Sequence, residues 1–449
     1  MRSSLRVGHV LTAVALAAGL VVAPAHAADP PPAAAPRTSV RVDNPYVGVR
    51  AYVNPEWSAR AAAEAGGAAV AGQPTGVWLD RIASIHGSNG RMGLRAHLDE
   101  ALRQRAGVVQ LVLYDLPGRD CGRLSTNGEL DASELPRYKQ EFVDPIAAIL
   151  ADPAYARLRI VAVVEPNSLP FLVTHTAPRS WATWQCETVK ANGAYTGGVA
   201  YALAKLGAIR NVYSYLDISH HGGIGWDEDR KPTLELLART ARSGGGLGAV
   251  HGFIANTADY SALREEFLVK TVINGQHIRQ SRWVDWNPFV DELSFVDAFR
   301  AEAVAAGFDP RVGVLVDTSR NGWGGPNRPT GPGPETSVDT YVDTSRVDRR
   351  VRIYNWCNQT GTGLGERPVA APRPNVDAYV WMKPPGESDG ASIPLPIGDE
   401  NHNRMCDPDY TGYPGASQYP TGAWRNAPPA GQWHSEQFRE LLRNAHPPL

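Results

Sequence analysis

The sequence predicts an α/β fold, a distorted TIM-like barrel of about seven parallel strands. Three observations point to it. Apolar runs alternate with amphipathic segments along most of the 449 residues, and strand, helix, strand in repetition builds a parallel sheet covered on both faces. Seven of the runs end in polar residues, which places a site over many strand ends, as in a closed barrel, rather than in one crevice. No GxGxxG follows the first run, which counts against the runner-up, an open doubly wound sheet.

Taken in order, residues 1–27 read as a signal peptide. Arg2 and Arg6 precede LTAVALAAGLVV, which runs into the small-residue cleavage pattern Ala25-His26-Ala27. The apolar stretch is shorter than the ~20 residues a membrane span needs, so a secreted chain without a membrane partner is expected. Residues 28–40 read as a Pro/Ala-rich disordered leader, and residues 41–449, without linker or repeat, as one domain. The expected strands are GVRAYVN to Asn54, VVQLVLYD to Asp115, RIVAVVEPN to Asn167, VYSYLD to Asp217, GAVHGFIAN to Asn256, VGVLVD to Asp317 and VDAYVWMK to Lys383. Helical patterns lie between them: RMGLRAHLDEALRQRA, SELPRYKQEFVDPIAAILAD with Ser133 as N-cap, PTLELLARTAR and DELSFVDAFRAEAVAA. The Gly/Pro-rich stretch 321–334 lacks the Gly-Lys-Ser/Thr ending of a phosphate loop and reads as an ordered loop at the site's rim.

Composition narrows the chemistry. The formal charge of -2 becomes -4 when Arg2 and Arg6 are removed, and a mildly acidic chain without a basic block is a poor nucleic-acid binder. Cys121, Cys186, Cys357 and Cys406 form an even set in an exported chain, so two disulfides are expected, with three connectivities open. His220 and His221 are adjacent and would point apart on a strand, so neither a metal nor another cofactor is expected. GxSxG is absent, which argues against a Ser/His/Asp hydrolase. Carboxylates gather near strand ends instead: Asp115, Asp120, Glu165, Asp217, Asp317, Glu387 and Asp389. Glycoside hydrolysis needs two such groups, one to protonate the leaving oxygen and one to serve water or the anomeric carbon. Trp57, Trp226 and Trp356, among twelve tryptophans, fall at strand ends or loops, where indole faces suit pyranose rings. Salt-bridging or capping competes as the role of any one carboxylate, and core packing as the role of any one indole.

With YDLPGRDC, VVEPNSLP, YLDISHHGGIGW and WMKPPGESDG in order, and NWCNQTGTGLGERP and QFRELLRNAHPPL beyond them, the chain resembles glycoside hydrolase family 6, the inverting cellulases, over residues 41–449. The resemblance implies a seven-stranded distorted barrel, a β-1,4-glucan polysaccharide or oligosaccharide as partner, a monomer, and a cleft or tunnel over the strand ends. Segments 317–356 and 390–425 look like the tunnel-forming loops of exo-acting bacterial members. It also implies pairing of Cys121 with Cys186 and Cys357 with Cys406.

Carried over by motif, Asp120 assists the general acid and Asp389 is the candidate base, through a water relay. Asp217, His220, Asn256, Lys383 and Glu387 would contact sugar, Tyr114 and Arg119 would lie beside the scissile subsite, and Trp57, Trp226 and Trp356 would be platforms. The family's general-acid Asp corresponds to Asn167, whose amide donates hydrogen bonds but releases no proton to a glycosidic oxygen. Glu165 is the nearest carboxylate that an extended strand would place on the same side. The family's CAALASN is CGRLSTN here, which brings in Arg123 and Thr126, and Gly223 stands where a Trp platform is usual. Three readings follow: an exo-type β-1,4-glucanase with impaired turnover, a glucan-binding pseudoenzyme, and a hydrolase of altered β-glucan specificity.

Overall fold

The structure, a computed structural model, describes residues 41–88, 90–123, 128–394, 403–412 and 419–449. The expected signal peptide and leader, Thr126 and parts of the segment 390–425 lie outside them. Eight strands form the main sheet: β1 (Val77–Leu79), β2 (Val108–Leu113), β3 (Arg159–Val164), β4 (Val212–Asp217), β5 (Gly252–Ala255), β6 (Gly313–Asp317), β7 (Val369–Arg373) and β8 (Val376–Val380). Their order is β1-β2-β3-β4-β5-β6-β8-β7. All pairings are parallel except β7 with β8. The sheet curls until Gly76 N–H donates to the Trp381 carbonyl at 3.0 Å, joining the β1 end to the β8 end. Only glycine fits there, because a Cβ on Gly76 would stand 2.4 Å from the Met382 oxygen.

Alternation along the buried strands divides the core in two. Val109, Leu111, Leu113, Ile160, Ala162, Val164, Phe253 and Val316 share one cluster with the helices, through Phe142, Val199, Leu237 and Phe299. Val108, Val112, Val161, Val163, Tyr213, Tyr215, Ile254, Leu315 and Val380 point the other way, into the curl. Two hydrogen bonds anchor polar groups on that inner face, Tyr46 donating to Gln110 Oε1 at 3.0 Å and Tyr215 to Asp377 at 2.7 Å, while Gln110 Nε2 has no partner among the described residues.

Several expectations change. GVRAYVN contributes only the isolated bridge of Ala51 to Val108, and Asn54 instead caps the helix Pro55–Ala63, its side chain accepting from Glu56 N–H at 3.0 Å. The first strand is the short VWL run of β1. The helices Leu94–Arg103 and Glu292–Ala305 form where periodicity placed them, whereas the helix expected from Pro232 starts earlier, at Asp227, runs to Ser243 and carries Pro232 inside it. Ser133 caps nothing: the tract expected to start there begins at Leu135, passes through a π-helical turn over Tyr138–Val143 and ends at Leu150. The 321–334 stretch is not at the cavity rim. Gly322 and Gly324 donate at 2.9 Å to the carbonyls of Gly363 and Asn444, and Cβ atoms there would stand 2.1 and 2.5 Å from backbone oxygens. Both disulfides join the cysteines that the resemblance pairs, at Cα separations of 4.8 and 5.0 Å. Among the described residues, no helix is long and apolar enough to cross a membrane.

Candidate active site

The register aligns Leu113 with Val164, Val164 with Leu216, Asp217 with Ile254, and Val380 with Asp317. Residues just beyond these positions therefore form one ring over the carboxyl ends of the strands. Glu165, Asn167, Ser219, Asn256 and Ala258 in this ring, and Asp120 nearby, all have φ between 50° and 62°. Non-glycine residues rarely adopt that region, and such strain collects at functional sites.

On one side, the turn after β2 holds Asp120. Tyr114 Oη donates to Asp120 Oδ1 at 2.5 Å and Arg123 Nε donates to the same atom at 3.1 Å. The Arg123 guanidinium lies 3.4 Å from the Trp356 ring centroid. Arg119, expected beside the sugar, is a buried brace: its Nη1 donates to the Asp80 and Tyr114 carbonyls, and its guanidinium packs on the Tyr114 ring. Asp115 lies beneath it at 3.9 Å. Burial pushes its carboxyl up to about 9, so it is protonated at neutral pH.

At the end of β3 the chain turns sharply instead of continuing extended, so Glu165 and Asn167 part company. Glu165 accepts from the Asp115 and Leu116 amides at 3.0 and 3.2 Å and from Tyr138 Oη at 2.8 Å. It is fully buried away from the cleft, and burial pushes it up to about 7 against those donors. It cannot stand in for an acid at 167. Asn167 itself faces the cavity, while its N–H donates to Asp217 Oδ2 at 3.1 Å. Burial pushes Asp217 up to about 6, with the Asn167 and Ser219 amides opposing the rise. Asp217 thus fixes the turn under Asn167.

Across the ring, Asp389 takes Arg320 Nη1 on both oxygens at 2.9 and 2.8 Å, Tyr260 Oη at 2.7 Å and the Asn358 N–H at 2.8 Å. Lys383 Nζ lies 3.9 Å away. Burial alone would raise this carboxyl, but Arg320 and Lys383 outweigh it and hold it below the ordinary range. Glu387 pairs with Arg60 at 3.3 Å, and burial raises its carboxyl. Burial likewise lowers Lys383.

A cavity of about 540 Å³ is lined by Asn167, Arg123, His220, Gly223, Trp226, Asp259 and Trp356. His220 bonds Ser261 Oγ at 2.9 Å through Nδ1 and meets Asp259 at 3.3 Å through Nε2. Trp226 anchors its N–H on the Asp285 carbonyl at 2.7 Å. His221 does not point away from His220: donor atoms of His220, His221 and Glu292 lie within 4.8 Å of one another, because the pair opens a helical turn rather than a strand. Both His220 nitrogens already face partners, and His221 Nδ1 contacts Glu292 at 2.6 Å.

Two expected sugar contacts fall in the core instead. Trp57 is 0% exposed, edge-on to Trp381, with its N–H on the Pro385 carbonyl. The helix that Asn54 caps turns it inward. Asn256 is also 0% exposed and uses its side chain on the Asp317 carbonyl and the Ser261 N–H. Sequence reasoning missed Arg320, Tyr260, Asn358, Asp259 and Arg350, which pairs with Asp259 at 2.8 Å and donates to Ser261 Oγ at 2.7 Å. Arg320 and Asp259 each follow a strand-end residue by three positions, which is a usable signal; Asn358, which reaches Asp389 across 31 positions, gives none.

The family model for glycosyl hydrolases family 6 matches residues 38–445. Exoglucanase A of Cellulomonas fimi is 46% identical over 434 residues, 91% of this chain and 49% of that protein. The chain thus spans about half the length of that relative. The 1,4-beta-D-glucan cellobiohydrolase CEL6C of Podospora anserina is 34% identical, covering 86% of this chain and 81% of its own length. Among solved structures, the catalytic domain of Cellulomonas fimi Cel6B superposes with TM-score 0.86 at 46% identity, covering 91% of this chain and 97% of that one. Cellobiohydrolase II (Cel6A) of Humicola insolens, in complex with glucose and cellotetraose, gives 0.69 at 30%, covering 90% and 100%. With a family model spanning nearly all of the described residues and a relative at 46% identity, this chain belongs to glycosyl hydrolases family 6.

Proposed function

We propose that this protein is a secreted O-glycosyl hydrolase that cleaves β-1,4-glucan, cellulose or cello-oligosaccharides, by exo-type inverting hydrolysis, with turnover impaired at Asn167. Asp389 carries the reading: a buried carboxylate held ionised by Arg320 and Lys383 suits a base acting on water at the anomeric carbon. Asp120, bonded to Tyr114 and Arg123, would stabilise positive charge in the oxocarbenium-like transition state. Tyr114, Asp217, His220, Trp226, Trp356, Lys383 and Glu387 complete the proposed sugar-binding set. The relatives' names as exoglucanase and cellobiohydrolase, and the cellotetraose in the Humicola insolens complex, support the substrate class.

At position 167 the amide polarises but does not protonate the leaving oxygen, and loss of general acid catalysis costs roughly 10²- to 10⁴-fold. Asn167→Asp is expected to raise cellotetraose hydrolysis by about 10²-fold or more, and the parent should turn over a glycosyl fluoride, whose leaving group needs no proton. A second reading, a glucan-binding pseudoenzyme, is favoured by Arg123 lying on Trp356. Oligosaccharide binding without turnover of either substrate would select it. Altered β-glucan specificity rests on Gly223 and Arg123 and is tested by a panel of β-glucans; cleavage of cellulose alone counts against it.

A further inference from the structure

The guanidinium of Arg123 lies 3.4 Å from the centroid of the Trp356 ring. That is about the separation at which a pyranose ring would contact the same indole face. Arg123 Nε also holds Asp120 Oδ1 at 3.1 Å, so one side chain joins a proposed platform to a proposed catalytic carboxylate. Both contact partners are tethered close by: Arg123 follows the disulfide-bonded Cys121 by two positions and Trp356 precedes the disulfide-bonded Cys357. The pose is incompletely satisfied. Among the described residues, Arg123 Nη1 is buried without a hydrogen-bond partner, so moving the guanidinium into water restores lost hydration.

We propose that Arg123 is an intramolecular competitor for the sugar-binding face of Trp356, and thereby a specificity-determining residue. The proposal rests on the glucan reading above. A sugar that stacks on Trp356 must first lift the guanidinium, and lifting it breaks the ion pair with Asp120. Occupancy of the platform is then coupled to release of the carboxylate. Every ligand that covers Trp356 carries the same penalty, whereas a ligand that leaves Trp356 uncovered carries none.

The test is a double-mutant cycle on the full chain, with cellotetraose binding measured by calorimetry so that turnover is not required. Arg123→Ala is expected to bind about tenfold tighter than the parent, the worth of one desolvated cation–π contact. In a Trp356→Ala background the same substitution should change nothing. Acrylamide quenching gives a ligand-free reading: the fluorescence that Trp356→Phe removes should become more accessible in Arg123→Ala. Equal or weaker binding by Arg123→Ala overturns the competitor and leaves the glucan reading standing, as does a gain that persists without Trp356. If none of the proteins binds cellotetraose, the glucan reading falls and the competitor falls with it.

Discussion

Arg320 governs the acid–base state of the site, because it supplies two of the short contacts to Asp389 and is itself fully buried. Weakening that cation favours the protonated carboxyl, so the Asp389 pKa must rise. In an Asn167→Asp background, Arg320→Lys is expected to move the acid limb of the kcat/KM profile to higher pH; an unmoved limb would show that Asp389 is not the ionised base. Trp57 and Trp356 make the opposite point about legibility. Both are tryptophans expected at strand ends or loops, yet Trp57 sits on the inward face of a capped helix and Trp356 lines the cavity. Local sequence places a side chain on an element; which face that element turns inward is decided by distant residues such as Pro385 and Trp381. Trp57→Ala should therefore cost about 3 kcal/mol or more of unfolding free energy and leave cellotetraose affinity unchanged, a split that thermal melts and calorimetry separate.

Glu165 fastens one element to the next. By accepting the amides of Asp115 and Leu116 it ties the turn after β2 to the end of β3, and Tyr138 in the π-helical turn closes the tie from outside. Its pKa rises from 4.5 to about 7 on folding. A group raised on folding contributes stability that is fully present below the unfolded pKa and is lost as pH climbs through the folded one. From Glu165 alone the loss between roughly pH 4.5 and 7 is on the order of 3 kcal/mol, and Asp217, raised to about 6, adds in the same direction. The melting temperature should fall over that interval, and Glu165→Gln should flatten the fall. Strands β2 to β6 and β8 were legible as apolar runs because both their faces are buried. β1 was not, since three residues carry too little pattern. GVRAYVN misled because its alternation is that of a segment lying under the barrel, bridged at one residue.

For the whole molecule, each disulfide joins segments far apart in the chain, at separations of 65 and 49 positions. Cys357–Cys406 closes 49 residues, for which chain entropy predicts a contribution of about 4 kcal/mol. Cys357→Ser with Cys406→Ser should lower the melting temperature and also weaken cellotetraose binding, because Trp356 loses its neighbouring anchor. The barrel class and the ring of polar strand ends could be read from the chain because parallel sheets impose them locally. The clasp of Gly322 and Gly324 against residues 363 and 444 could not, since it depends on segments brought together only by closure. The left-handed turn at Asn167, φ 58°, has a different kind of consequence. Asn and Asp are the two side chains best tolerated there after glycine, they are nearly equal in shape, and their codons differ by a single base. Under the proposed reading, a lineage can pass between amide and acid in either direction without crossing an unstable intermediate. Folding does not discriminate between these two residues at this position, and selection on the reaction itself decides which of them persists.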